Sequence, residues 1–240
     1  MRLAGDLIRP AAGNHLRRGL LLVHGGGWST GTRADYESLL QTVGSVGFTA
    51  VTVDYRLSPA VRHPQHVEDV KCALRWLRTH AAELDVIGGS AGSHLAAFLA
   101  YTPDDPRFEG TGQPSTGGTK LAAAVLHGCP NDLTAYASFT ADQQGTVRAL
   151  LGTQSPTMEQ LRGASPRELV RVGSVPTLIL HGQNDTVVPP DQANRLDATL
   201  TSFNVPHRLF VIAGAGHSDF GSDPDAVGRE LLSFLQETIK

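Results

Sequence analysis

Asp85-Val86-Ile87-Gly88-Gly89-Ser90-Ala91-Gly92-Ser93 sets a serine in a G-x-S-x-G frame, with a short apolar run before it and an apolar helical run, Ser93 to Tyr101, after it. Asp85 to Ile87 reads as the end of a buried strand, and Leu95, Phe98 and Leu99 recur on one side of the helix that follows. Ser90 therefore falls at a strand-to-helix turn. A turn that sharp brings the backbone beside the serine close to its neighbours, so it requires residues with little or no Cβ, here Gly88, Ala91 and Gly92.

Outward from that turn, short β-rich runs recur at Leu20 to Val23, Thr49 to Val53, Asp85 to Ile87, Leu121 to Leu126, Thr177 to Leu180 and Arg208 to Ile212. The segments between them read as helices, and this alternation predicts an α/β fold with a parallel sheet covered on both faces. The clearest helix is His66 to His80: Val67, Val70, Leu74 and Leu77 form its apolar stripe, and Glu68, Asp69, Lys71, Arg75 and Arg78 take the other face. Arg33 to Val46, Asp191 to Phe203 and Pro224 to Ile239 are further helices. Thr102 to Thr119 lacks an apolar period and reads as a loop over the sheet edge. Leu133 to Val172 exceeds an ordinary strand-to-helix connection and is expected to form a small cap. A chain of 240 residues fits one such domain, 1–240, with 133–172 as the cap insertion.

Charged residues are 18% of the chain and its formal net charge is −3, so no basic face calls for nucleic acid. The first ten residues carry Arg2, Asp6 and Arg9 and no apolar run of leader length, and nothing approaches the ~20 apolar residues of a membrane span. The chain reads as soluble and cytoplasmic, with a small, weakly charged molecule as its partner. Its two cysteines, Cys72 and Cys129, are expected to stay reduced. No Cys/His spacing suggests a metal, and His63 and His66, astride a proline, read as surface residues.

A serine hydroxyl is a weak nucleophile at neutral pH; it needs a histidine base, and the base needs a carboxylate to hold its tautomer. Both are expected C-terminal to Ser90, on loops at the carboxyl ends of later strands. The strand Thr177 to Leu180 runs into His181-Gly182-Gln183-Asn184-Asp185, which makes Asp185 the acid. Asp191 competes, but after Pro189-Pro190 a first-turn acid is its ordinary explanation. The strand Arg208 to Ile212 runs into Ala213-Gly214-Ala215-Gly216-His217, which makes His217 the base. His94 and His127 are read as packing or hydrogen-bonding support, with His127 also a candidate for the pocket. His24-Gly25-Gly26-Gly27-Trp28 follows the strand at Leu20, and its consecutive glycines let backbone N–H groups converge on one point. Gly26, Gly27 and Ala91 are the expected N–H donors to an oxyanion. His24 is read as a brace for that loop, and Trp28, Tyr136 and Phe139 as candidate substrate contacts.

Together the HGGGW loop, Asp54-Tyr55-Arg56-Leu57-Ser58-Pro59, the GGSAG turn, HGQND with Val188-Pro189, and GAGH resemble the esterase branch of the α/β-hydrolases from about Gly19 onward. The pattern is similar to hormone-sensitive-lipase-type bacterial carboxylesterases and to feruloyl and acetylxylan esterases, with kynurenine formamidases as relatives. The resemblance implies the α/β-hydrolase fold and hydrolysis of small or short-chain esters by a serine esterase, through an acyl-enzyme and without a cofactor. It makes Asp54, Tyr55 and Arg56 supports for the oxyanion loop. Ser93 stands where the family often has glycine and Asn184 where it often has an acid. The short stretch before Leu20 implies that the N-terminal strands or helical cap of many relatives are reduced. An arylformamidase using the same residues is the alternative reading, and a non-catalytic binding protein of this fold is the rival from another class. A homodimer through strand edges or the last helix is left open.

Overall fold

Leu20, Leu21, Leu22 and Val23 are all fully buried. The two-residue period of a strand sends Leu20 and Leu22 into the apolar layer on one face of the sheet and Leu21 and Val23 into the layer on the other. A strand covered on both faces is expected to read as such an unbroken apolar run. The computed structural model describes residues 3–11, 16–110, 118–217, 219, 221 and 223–238. It places the run in β2 (Arg18–Val23) of a seven-stranded sheet, with β1 (Gly5–Ile8), β3 (Thr49–Val53), β4 (Glu83–Gly89), β5 (Ala123–His127), β6 (Thr177–Gly182) and β7 (His207–Ile212). Strand order is β1-β3-β2-β4-β5-β6-β7; β1 runs antiparallel to β3 and every other neighbouring pair is parallel.

The helices are α1 (Glu37–Ser45, entered through a 3₁₀ turn at Arg33–Tyr36), α2 (Gln65–Arg78), α3 (Ala91–Tyr101), α4 (Ala141–Leu151), α5 (Met158–Gly163), α6 (Asp191–Ser202) and α7 (Pro224–Glu237). Leu40 and Val43 of α1 and Val227, Phe234 and Leu235 of α7 cover one face, while the apolar residues of α2, α3 and α6 cover the other. Ile239, the predicted end of α7, and residues 111–117 of the Thr102 to Thr119 loop lie outside the described residues.

Four features differ from the sequence reading. The N-terminal stretch contributes a strand, β1, whose half-exposed residues pair with β3 at the sheet edge. Helix α3 is buried on all sides, because α2 and the 3₁₀ turn Pro166–Leu169 cover the surfaces the sheet leaves free. The charged side of α2 is not a solvated face: Lys71 is fully buried and Arg75 nearly so, both paired with Glu109 at 2.5 Å, and Asp69 is buried against Arg56. His66 is also buried, its Nε2 3.2 Å from the Ser58 hydroxyl, and half-buried His63 contacts the Gly163 carbonyl and the ring of Phe98, so neither is the surface residue expected.

At the opposite end of β4 from Ser90, fully buried Asp85 is paired with Arg18 of β2, whose guanidinium also donates to the Leu235 carbonyl of α7 at 3.0 Å. Burial pushes the Asp85 carboxyl up to about 6 against the pull of Arg18. Removing one member of a buried pair strands the other charge. Arg18→Met is therefore expected to cost about 3–5 kcal/mol in urea unfolding, and Arg18→Met with Asp85→Leu to recover most of it.

β2 and β4 are neighbours, yet the chain leaves β2 for β3 on one side and β4 for β5 on the other. Loops diverging from adjacent carboxyl ends open a crevice at this topological switch point.

Candidate active site

Ser90 sits in that crevice with φ 53° and ψ −123°, a conformation that a side chain rarely adopts. The glycines around it explain how the turn closes. A Cβ on Gly88 would lie 2.3 Å from the Gly92 carbonyl oxygen, and one on Gly92 would lie 2.1 Å from the Val23 carbonyl oxygen. Only bare backbone lets α3 begin this close to the end of β2. The Ser90 N–H donates to the His127 carbonyl at 2.8 Å, which ties the turn to β5.

The three residues expected to act together meet. Ser90 Oγ is 2.8 Å from His217 Nε2, and His217 Nδ1 is 2.7 Å from Asp185 Oδ2. A carboxylate accepts, so Nδ1 carries the proton and the Nε2 lone pair faces the serine hydroxyl. Asp185 Oδ1 accepts from the N–H groups of Val187 and Val188 at 2.9 and 2.8 Å. Burial disfavours the ionised Asp185, but the bonds from His217, Val188 and Val187 outweigh it and hold the carboxyl below the usual carboxylate range. His181 Nε2 donates to the Val188 carbonyl at 2.9 Å and braces the same loop from β6. From α4, the Gln143 amide donates to the Val187 carbonyl at 2.9 Å. Asp191 is in the first turn of α6, ion-paired with Arg195, as its cap position predicts.

The glycine loop is braced from below. The Tyr55 hydroxyl donates to the carbonyls of His24 and Gly25 at 3.1 and 3.2 Å, and its ring stacks on His24 at 4.3 Å. Asp54 anchors the neighbouring chain through Arg33 at 2.6 Å, and Arg56 pairs with Asp69 at 2.7 Å. Gly26 has φ +100° and its carbonyl accepts from Ser29 and Thr30, which folds the loop over the crevice. Gly27 and Ala91 line a cavity of about 300 Å³ above Ser90, and Ala91 opens α3, where a first-turn N–H has no helical acceptor.

Trp28 and Phe139 line this cavity with Val147, Val187 and Pro189. Tyr136 does not: it lies behind Phe139, and its hydroxyl accepts from Arg148 at 3.1 Å. His127 is also outside the lining, at the buried end of β5 beside Asp185 and His217, where desolvation, reinforced by His217, pushes it down to about 4 and keeps it neutral. His94 is fully buried; it accepts from the Trp28 indole N–H at 3.2 Å and donates to the Ala164 carbonyl at 2.9 Å. Burial pushes it down to about 3, so it joins Trp28 of the pocket wall, α3 and the segment at Ala164 as a neutral ring. Gln143 and Asp142 were not anticipated; Thr140-x-x-Gln143 is a capping-box signature, and it forms here at the start of α4.

A family model described as BD-FAE matches residues 6–200. The chain belongs to this family. BD-FAE membership agrees with two relatives from Mycobacterium tuberculosis. The probable carboxylic ester hydrolase LipM is 32% identical over 72% of this chain and 42% of its own length. The esterase LipC is 30% identical over 82% of this chain and 52% of its own. This BD-FAE chain thus spans about half the length of these relatives. A thermophilic esterase from the planctomycete Thermogutta terrifontis superposes with a TM-score of 0.79 at 27% identity, covering 99% of this chain and 86% of its own. The sheet order, the Ser90 turn and these likenesses establish an α/β-hydrolase fold. The Thermogutta esterase has also been solved phosphonylated by sarin.

Proposed function

We propose that the chain is a serine carboxylic ester hydrolase with Ser90 as nucleophile, His217 as base and Asp185 as the group that orients it. The observation that carries this is the unbroken line from Ser90 Oγ through His217 to Asp185, at 2.8 and 2.7 Å, opening on the cavity. His217 Nε2 takes the hydroxyl proton as Ser90 Oγ attacks the ester carbonyl. The tetrahedral oxyanion is held by the N–H groups of Gly26, Gly27 and Ala91, donors of a kind that contribute about 3–4 kcal/mol each. The His217 imidazolium, stabilised by Asp185, then protonates the departing alcohol. Water enters on the freed face, gives a proton to His217 and releases the acid by the same steps in reverse. Esterase relatives in the same family, and an esterase of this fold that sarin phosphonylates, support the reading. We further propose that residues 133–172 act as the cap, since α4 and Phe139 wall the cavity.

The test is hydrolysis of p-nitrophenyl esters from acetate to decanoate, with N-formylaniline in parallel. A cavity of about 300 Å³ predicts a maximum at short acyl chains. Hydrolysis of the formanilide without any ester would replace this reading with amide hydrolysis. Silence on both, with no labelling by a fluorophosphonate, would leave a binding protein.

A further inference from the structure

The polar groups around the cavity are almost all engaged in holding the protein together. Thr140 caps α4 by accepting from the Gln143 N–H, and Gln143 bonds both Thr140 and the Val187 carbonyl. The Thr146 hydroxyl donates to the Asp142 carbonyl, Gln192 bonds both the N–H and the carbonyl of Asp132, and the Trp28 indole is taken by His94. Among the described residues, Asp142 lines the cavity, its exposed carboxylate has no hydrogen bond or ion pair, and it is the one charged residue in the lining. A first-turn acid is favoured by the helix dipole in general. Here, however, Thr140 and Gln143 already cap the helix, and Asp142 lines the same cavity as Ser90. No cationic side chain among the described lining residues offsets it.

We propose that Asp142 is a specificity-determining residue that selects esters carrying a cationic group, such as a quaternary ammonium, over neutral and anionic esters of the same shape. The inference rests on the esterase reading. A single exposed carboxylate exerts a modest field, screened over about 10 Å at 0.1 M salt, so the selection is a graded preference and not an absolute gate. Apart from the Thr186 hydroxyl, the rest of the wall is apolar or committed, so a methylated ammonium, which has no N–H to satisfy, suits the site better than a primary amine.

The test compares kcat/KM for two isosteric pairs in the wild type, Asp142→Asn and Asp142→Lys. Butyrylcholine against 3,3-dimethylbutyl butyrate places the charge in the alcohol. Methyl 4-(trimethylammonio)butyrate against methyl 5,5-dimethylhexanoate places it in the acyl half. In the wild type at low salt, at least one pair is expected to favour the cation by about three- to tenfold. That ratio should fall toward one in Asp142→Asn and in the wild type at 0.5 M NaCl, and invert in Asp142→Lys. Ratios that are equal in all three proteins, with the neutral esters still hydrolysed, would overturn the proposal and leave the esterase reading standing. A wild type that hydrolyses p-nitrophenyl esters but none of the four would overturn the proposal alone, and one that hydrolyses no ester of either set would overturn both.

Discussion

Ser90→Ala lowers kcat on the best p-nitrophenyl ester by about 10⁴- to 10⁶-fold, the range expected when a nucleophile is removed and only binding and oxyanion donors remain. The loss is chemical, because the serine hydroxyl bonds to His217 and to nothing that holds the fold. Stability should follow the backbone instead. At φ 53° and ψ −123° Ser90 carries strain of about 1–3 kcal/mol, which alanine keeps and glycine relieves. Ser90→Ala is thus expected to melt close to the wild type, and Ser90→Gly about 2–4 °C higher, in the same calorimetric scan. A variant that is both inactive and more stable would mark Ser90 as a residue kept for chemistry at the expense of the fold. Near-full activity in Ser90→Ala would remove the proposed mechanism.

The parts of this site that could be read from the sequence are those fixed by strand ends. Ser90, Asp185 and His217 follow the strands β4, β6 and β7, the first two buried and the last at the sheet edge, so the order of the strands in a parallel sheet brings them together at its carboxyl end. What escaped the sequence depends on partners far away in the chain. Lys71 and Arg75 look solvated at helical spacing until Glu109 arrives from the loop beyond α3. β1 is four residues long and gains its identity only by pairing with β3. Tyr136 and Phe139 are indistinguishable as candidate pocket aromatics, but the 3₁₀ turn Leu133–Ser138 ends between them. That break leaves Phe139 in the wall and carries the Tyr136 hydroxyl to Arg148. Gln143 matters because α4 lies across the Asp185 loop, which no local pattern encodes.

The Asp185 variants separate orientation from structure. The carboxylate serves two masters: Oδ2 holds the His217 Nδ1–H, and Oδ1 accepts the N–H groups of Val187 and Val188, residues that also wall the cavity. In Asp185→Asn the amide oxygen can keep the two backbone donors, but its NH₂ group then faces His217 and demands the tautomer with the proton on Nε2, which cannot accept from Ser90. Activity should fall by about 10⁴-fold with little loss of stability near neutral pH beyond the charge-assisted part of the His217 bond. Asp185→Ala should lose comparable activity and also about 2–3 kcal/mol, because the buried Val188 N–H and the part-buried Val187 N–H lose their acceptor. The pH dependence checks the assignment independently. Since the folded Asp185 carboxyl lies below its unfolded value near 4, its stabilisation is complete above that value and is lost as pH falls through the folded one. The stability gap between wild type and Asp185→Asn, followed by urea unfolding from pH 7 downward, should therefore stay constant to about pH 4 and narrow below it. A gap that is unchanged by acid would mean that Asp185 is not held as a carboxylate by His217, Val187 and Val188, and the orienting role assigned to it would fail with that result.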